Sequence, residues 1–370
     1  PPDTNTRSIQ GTYHVVTPVL TQQQLPSGTG TGIGYLFESF PRHPQRSRSA
    51  HANPTTREPA MTRTSSHFVT NDGVRLVYEV ADVASASASS PIVFVHGWSG
   101  SKRYFDHSFA ALISGPNPPP KVVRYDLRGH GDSDQPAWGH HVARYAADLR
   151  DLLEHLDLSN VTLVGASMGC AVIWSYIEIF GNLRLKGAVY VDQAPLQNRA
   201  PDWNLGSKGC YDVASLTRLQ ELLKHDFPGF AKGNAECCLS NPIDAQYQEL
   251  LVAETMKASP EGLAHLMADH TALDWRPLLP HIKMPSLVLA GQKSQIFPWE
   301  GVTAVGRMIP NATTVVFPTC DHWLYIEDWS KFSTLVADFA ANGEITSTAG
   351  EKQKMLLSGG QVLLVAEEGV

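Results

Sequence analysis

The stretch VTLVGASMGCAV (161–172) decides how the rest of the chain is read. Its first half is a short apolar run rich in β-branched residues, the kind that suits a strand buried on both faces of a parallel sheet. Its second half opens an apolar, helix-like segment. Between them Gly165, Ser167 and Gly169 fit G-x-S-x-G. A sharp strand-to-helix turn of this type pushes Ser167 up at the carboxyl edge of the sheet. Small residues flank it because the backbone there passes too close for side chains. The helix start points free N–H groups and a positive dipole end at developing negative charge. Ser167 therefore reads as a nucleophile, and the Met168 N–H as one donor to an oxyanion. A Gly-rich turn with an incidental serine would spell the same letters. The buried-type strand before it and the apolar helix after it favour the chemical reading.

Working outward, the same kind of strand recurs. VRLVYEV (74–80) alternates like a half-buried strand, and PIVFVHG (91–97), KVVRYD (121–126), GAVYVD (187–192), SLVLAG (286–291) and TTVVF (313–317) are short apolar runs. Helical patterns lie between several of them. ARYAADLRDLLEHL (143–156) places Ala147, Leu149, Leu152 and Leu153 on one side, with charges opposite. Strands alternating with helices predict an α/β fold with an open, mostly parallel sheet. Residues 196–275 break the rhythm: they are helix-like and hold no convincing strand. They read as a helical cap inserted over one end of the sheet.

VFVHGWSGS (93–101) ends a strand in His96-Gly97, and the loop after it can offer the Trp98 N–H to the same oxyanion. His96 itself reads as a structural residue under that loop. DLRGHGDSD (126–134) follows the next strand. Asp126, Arg128, His130 and Asp132 look catalytic by composition, but loop-stabilising hydrogen bonds and ion pairs are the simpler role. HGWSG, DLRGHGDSD and GASMG, in this order and spacing, resemble the α/β-hydrolase superfamily, in particular its small esterase, C–C hydrolase and cofactor-free haloperoxidase-like members. The resemblance covers about residues 67–342. It implies an eight-stranded mostly parallel sheet flanked by helices, with the cap inserted after strand six. The domain reading is then a disordered leader over 1–66, core over 67–195, cap over 196–275, core over 276–342 and a tail over 343–370, whose apolar QVLLVA has no assigned place.

A serine hydroxyl needs an adjacent base at neutral pH. The resemblance puts that base in the loop after the last strand, where VVFPTCDHWLYIEDWSKF (315–332) supplies His322. His265, His270 and His281 precede the last strands and are weaker candidates, and His140 and His141 read as solvated. A third group must hold the imidazole in the right tautomer. Its common place is the loop after strand seven, but that loop reads Gly291-Gln292-Lys293-Ser294, and the next acid is Glu300. GAVYVDQAP (187–195) ends strand six with Asp192. Neighbouring strands lie about 5 Å apart, so a carboxylate there can reach the histidine loop from one strand over. Some superfamily members place their acid at that position. Two alternatives stay open: Asp192 caps a turn, or the site is a dyad or degenerate. Asp321, beside His322 in the chain, is poorly placed to reach its neighbour's ring.

Trp203, Tyr211, Leu216, Leu219, Phe227, Phe230, Leu263 and Met267 supply the cap's apolar side chains, some of which must roof Ser167. An apolar roofed pocket suggests a small, mostly apolar acyl substrate. Cys170 reads as packing, and Cys320 as reactive only if exposed. The 370 residues are 42% hydrophobic and 18% charged, ordinary globular composition, with net charge −7 and pI near 6.1. A mildly acidic chain gives no reason to expect nucleic acid or an anionic membrane as partner. Five dispersed cysteines without a CxxC or Cys/His spacing predict neither a disulfide framework nor a metal site. A reducing, cytoplasmic compartment is expected, no run of apolar residues spans a bilayer, and two glycosylation sequons, at Asn160 and Asn311, read as chance. Residues 1–66 carry six Arg, three acids and no Lys, without sustained periodicity. No signal peptide is visible in them, and their Pro content argues against an amphipathic transit helix.

The function expected is a serine hydrolase acting on an ester, lactone or related acyl substrate through an acyl-enzyme on Ser167, with His322 as base, Asp192 as acid, and the Met168 and Trp98 N–H groups as oxyanion hole. No cofactor and no metal are implied. The same triad could instead run C–C bond hydrolysis, perhydrolysis or acyl transfer. A different class, a non-catalytic ligand-binding protein on this fold, gains weight if Asp192 lies out of reach of His322. Substrate identity and oligomeric state are not legible.

Overall fold

The structure, a computed structural model, describes residues 61–83 and 89–346, and the backbone of 352–357 and 361–366. In chain order its elements are β1 (Met61–Val69), β2 (Arg75–Val83), β3 (Ile92–Val95), α1 (Asp106–Ser114), β4 (Lys121–Tyr125), α2 (Val142–His155), β5 (Val161–Ala166), α3 (Met168–Phe180) and β6 (Leu185–Val191). Four helices follow, α4 (Val213–His225), α5 (Phe227–Cys237), α6 (Ala245–Thr255) and α7 (Pro260–Ala272). Then come β7 (Ser286–Gly291), α8 (Trp299–Met308), β8 (Ala312–Phe317), α9 (Leu324–Glu327), α10 (Trp329–Asn342), β9 (Lys352–Leu357) and β10 (Gln361–Ala366).

The strands form one sheet in the order β1-β2-β4-β3-β5-β6-β7-β8-β10-β9. From β4 to β10 every neighbour is parallel; β2 is antiparallel to β1 and β4, and β9 to β10. The eight strands β1–β8 are the mostly parallel sheet expected from the sequence, and the C-terminal hairpin extends it to ten. QVLLVA, which had no assigned place, is β10 and pairs with β8.

The apolar runs are buried on both faces because helices cover both. On β5, Leu163 belongs to one cluster with Leu149 of α2, Ile173 of α3 and Val302 of α8. Its neighbour Val164 belongs to the other, with Phe109 of α1 and Phe332 of α10. Each such side chain contributes roughly 1.5–3 kcal/mol when fully buried, so a strand reading V-x-L-V is anchored from both sides.

Three expectations need correction. Residues 61–66, read as the end of a disordered leader, are strand: β1 pairs with β2 from Met61↔Val83 to Val69↔Arg75. Only Phe68 of β1 is buried, because an edge strand needs little apolar surface, and so MTRTSS carried no hydrophobic signal. Residues 1–60 of that leader lie outside the described residues. On α2 the buried face is Val142, Tyr145, Ala146, Leu149, Leu152 and Leu153, with Ala147 only half-buried. Asp148 is also buried there, since Arg128 lies against it with Nε and Nη2 donating to its two oxygens at 2.9 Å. His140, read as solvated, is buried, with Nε2 2.7 Å from Pro136 O and Nδ1 3.3 Å from the Tyr145 hydroxyl; His141 is exposed.

The helices α4–α7 all fall between β6 and β7. The chain leaves and re-enters the sheet through a narrow neck: Leu196 and Asp274 form an antiparallel bridge, and Trp275 N–H donates to Pro195 O at 2.9 Å.

Candidate active site

Ser167 sits between β5 and α3 with φ 52° and ψ −125°. A non-glycine residue in that region costs on the order of 1–3 kcal/mol, and the surroundings enforce it. The Ser167 N–H donates to Val191 O at 2.8 Å, and the Cys170 N–H to Ser167 O at 2.8 Å. Two glycines make room for the turn. A Cβ on Gly165 would lie 2.6 Å from the backbone of Gly169, and one on Gly169 would lie 2.2 Å from Val95 O. Met168 opens α3, so its N–H is one of the helix-start amides with no partner inside the helix. Cys170 is fully buried against Gly165 O, its thiol pushed far up by burial, in agreement with a packing role.

Asp192 stands one residue beyond β6, also at positive φ (47°), its N–H donating to Leu289 O of β7 at 2.8 Å. Because β6 and β7 are paired, this turns the carboxylate toward the end of β7. Oδ1 accepts from Gly291 N–H at 2.9 Å. Oδ2 accepts from the Ser294 hydroxyl at 2.7 Å and from His322 Nδ1–H at 2.7 Å. The carboxylate is fully buried and His322 nearly so. With Nδ1 spent on Asp192, Nε2 is the ring nitrogen left to take a proton. His322 and Ser167 line one cavity of about 200 Å³, together with Gly97, Trp98 and Met168. The structure thus brings all five site residues expected from the sequence to one edge of the sheet.

The other acids go elsewhere. Glu300 is exposed in the first turn of α8. Asp321 bonds its neighbour's backbone rather than its ring: Oδ1 accepts from His322 N–H at 2.7 Å and Gln295 N–H at 2.8 Å, and Oδ2 from the Ser240 hydroxyl at 2.7 Å. It ties the histidine loop to the loop after β7. Cys320, two residues before His322, is buried, and desolvation pushes its thiol up to about 12, so it is a poor thiolate.

The loop carrying Trp98 rests on two buried histidines. His96 Nδ1–H donates to Gly97 O at 2.8 Å, and its Nε2 accepts from Leu127 N–H at 3.0 Å. His130 Nδ1–H donates to Arg128 O at 2.9 Å, and its Nε2 accepts from Ser99 N–H at 3.3 Å. Burial lowers the first to about 4, and burial with the neighbouring His96 lowers the second to about 3. Both rings are therefore neutral, as the acceptor role of each Nε2 requires. Asp126 is likewise structural, accepting from Lys102 Nζ at 2.5 Å and Lys102 N–H at 2.8 Å.

The cavity roof comes from the inserted helices and the neck. Of the apolar side chains singled out there, Leu219, Phe230 and Met267 line it, whereas Trp203 packs into the core with Nε1–H on Leu196 O. Trp98 joins the two parts: its Nε1–H donates to Leu263 O of α7 at 3.0 Å, and its ring meets Phe230 edge-on at 5.3 Å. Gln197, Ser207, Asn234, Ile296, Phe297 and Trp323 also line the cavity and were not expected there. They come from the neck, α5, the loop after β7 and the residue after His322, which no local pattern connects. Among the described residues, no three His, Cys, Asp or Glu side chains gather as metal ligands, and no helix is long and apolar enough to cross a membrane.

A strained serine at a strand-to-helix turn and a buried carboxylate–imidazole pair on one cavity, at the carboxyl edge of a parallel sheet, define a hydrolase of the α/β type. The chain belongs to the alpha/beta hydrolase fold family, whose pattern matches residues 90–328. It is 26% identical over 251 residues to the AB hydrolase superfamily protein YisY of Bacillus subtilis, covering 68% of this chain and 91% of that one. It is 28% identical over 282 residues to the non-heme chloroperoxidase CPO-A1 of Kitasatospora aureofaciens, covering 73% and 97%. Its fold is similar to that of the esterase EaEST from Exiguobacterium antarcticum, with TM-score 0.69 at 23% identity over 75% of this chain and 99% of that one.

Proposed function

We propose that the protein is a serine hydrolase that cleaves a small, mostly apolar ester, lactone or related acyl substrate through an acyl-enzyme on Ser167. The observation that carries this reading is the 2.7 Å bond from His322 Nδ1 to the buried Asp192 carboxylate, on the cavity that Ser167 also lines. In this mechanism His322 Nε2 takes the proton of Ser167 Oγ as Oγ attacks the carbonyl carbon. Asp192 holds the ring in the Nδ1–H tautomer and stabilises the imidazolium that forms. The Met168 and Trp98 N–H groups receive the oxyanion, a contribution of about 3 kcal/mol per donor in comparable sites. His322 then protonates the leaving group. A water deprotonated by the same nitrogen attacks the acyl carbon, and the carboxylic acid departs as Ser167 recovers its proton.

A fluorophosphonate probe tests this. Labelling that disappears in Ser167→Ala supports the acyl-enzyme; a native protein that resists labelling favours a non-catalytic ligand-binding role. The name of the chloroperoxidase relative supports a second reading, in which hydrogen peroxide replaces water on the same acyl-enzyme and releases a peracid. Peracid formed from an ester with added peroxide, at the expense of hydrolysis, distinguishes the two. Product formed with an added alcohol or thiol would mark acyl transfer, and cleavage of a β-diketone would mark C–C hydrolysis.

A further inference from the structure

His270 lies on α7, well away from the Asp192–His322 pair in sequence, and lines the cavity that His322 and Ser167 share. It is 3% exposed, and Nδ1 finds no hydrogen-bond partner among the described residues. Buried polar atoms are nearly always paired, so such an orphan calls for an explanation. Apolar packing is a poor one, because phenylalanine would fill the same space without the cost of desolvating two ring nitrogens. Desolvation holds the imidazole at about 4, so it is neutral near neutral pH, with one nitrogen donating and the other accepting. The χ2 torsion of histidine is broad and roughly two-fold, so a half-turn exchanges the positions of Nδ1 and Cδ2.

The ring has polar company. Gln197 also lines the cavity, and its Nε2 donates to Met267 Sδ at 3.2 Å and, at a longer 3.4 Å, to Cys210 O. Met267 is one helical turn before His270. Gln197 O accepts from Ser207 N–H at 2.8 Å, and the Asn198 N–H next door reaches Thr271 O, the residue after His270, at 3.3 Å. Gln197, Ser207 and His270 therefore line the cavity from segments tied together at the neck of the insertion, with Asn234 of α5 as a further polar group among apolar ones such as Phe230, Phe297 and Trp323.

We propose that His270, with Gln197 beside it, binds a second oxygen of the substrate, a hydroxyl or carbonyl apart from the scissile group, and so selects oxygen-substituted acyl compounds over plain ones. This rests on reading the cavity as the active site of a hydrolase. A buried polar pair built to meet an oxygen rejects the analogue that lacks it, because its own groups are then left unpaired.

The test compares the p-nitrophenyl ester of phenylacetic acid with those of its 2-, 3- and 4-hydroxy derivatives. The native enzyme is expected to favour at least one hydroxy isomer about tenfold or more in kcat/KM. His270→Phe should abolish that preference, read as the ratio of kcat/KM between each hydroxy ester and the plain one, and His270→Gln, which keeps a donor and an acceptor, should retain part of it. Absence of any preference in the native enzyme, or a preference that survives in His270→Phe, overturns the proposal. Calorimetric titration of native and variant protein with phenylacetate and the hydroxyphenylacetates gives a readout that does not need turnover. If no ester is hydrolysed but a hydroxy acid binds at least tenfold tighter than phenylacetate and loses that advantage in His270→Phe, the hydrolase reading fails and the recognition stands. If esters are hydrolysed without discrimination, the reverse holds.

Discussion

The Ser294 hydroxyl donates to Asp192 Oδ2 at 2.7 Å, the same oxygen that accepts from His322 Nδ1. The residue at the loop position where related enzymes commonly carry the acid is here a donor to an acid that sits one strand over. Asp192→Asn should therefore lower kcat by about 10⁴-fold, because an amide can present the wrong group to Nδ1 and trap the wrong tautomer. Ser294→Ala should lower it by about tenfold or less and cost roughly 2 kcal/mol of stability, the loss of one hydrogen bond to a charged group. Steady-state rates and urea unfolding of both variants check this.

The shared oxygen also makes a rescue testable. A carboxylate at position 294 would start from a residue whose side chain already reaches within hydrogen-bond distance of the His322 partner atom. The double variant Asp192→Asn with Ser294→Asp should recover at least about tenfold in kcat over Asp192→Asn alone, a little over 1 kcal/mol of transition-state stabilisation. No recovery would mean that the loop after β7 cannot place an acid here.

Gly169→Ala should be severely destabilising. The new Cβ would fall 2.2 Å from Val95 O, a backbone atom of the neighbouring strand that cannot step aside. A loss on the order of 3 kcal/mol, read as a lowered thermal midpoint, is expected from overpacking of this kind. A variant that melts with the native protein would show that β3 and α3 are not so closely seated.

Stability should fall as pH falls below the ordinary histidine range. His96, His130 and His270 are buried with folded values of about 4, 3 and 4, against 6.5 when exposed. Between those limits the unfolded chain binds more protons than the folded one, so unfolding free energy rises with pH and drops on acidification. Each ring contributes up to about 2 kcal/mol of loss between pH 6.5 and 5. Urea midpoints measured across that interval should decline, and less steeply in His270→Phe.

A chain beginning at His67, the boundary suggested by sequence patterning, would lose Met61 to Ser66 and with them most of the pairing of β1 to β2 and the Arg63–Glu79 ion pair. It would expose the edge of β2. A lower thermal midpoint and concentration-dependent aggregation are expected relative to a chain that begins before Met61, measured by melting and light scattering.

Much of this was legible locally. The G-x-S-x-G turn works through neighbours within a few residues, so Gly165, Ser167 and Gly169 announce their own geometry. The buried strands announced themselves because both faces are covered, leaving no polar alternation. β1 and QVLLVA were not read as strands: β1 is an edge strand with one buried side chain, and six apolar-rich residues in a tail do not say which strand they join.

The sequence by itself determined the fold class and the candidates for nucleophile, base and acid, because each depends on short-range patterns of size, polarity and glycine placement. Only the tertiary structure decided which carboxylate meets His322. That choice turns on β6 lying beside β7, on the positive φ of Asp192, and on Asp321 spending its oxygens on backbone amides. The cavity wall was equally out of reach. Gln197, His270 and Trp323 are far apart in the chain and meet only because the insertion folds back over the sheet edge, a long-range closure that no local period records.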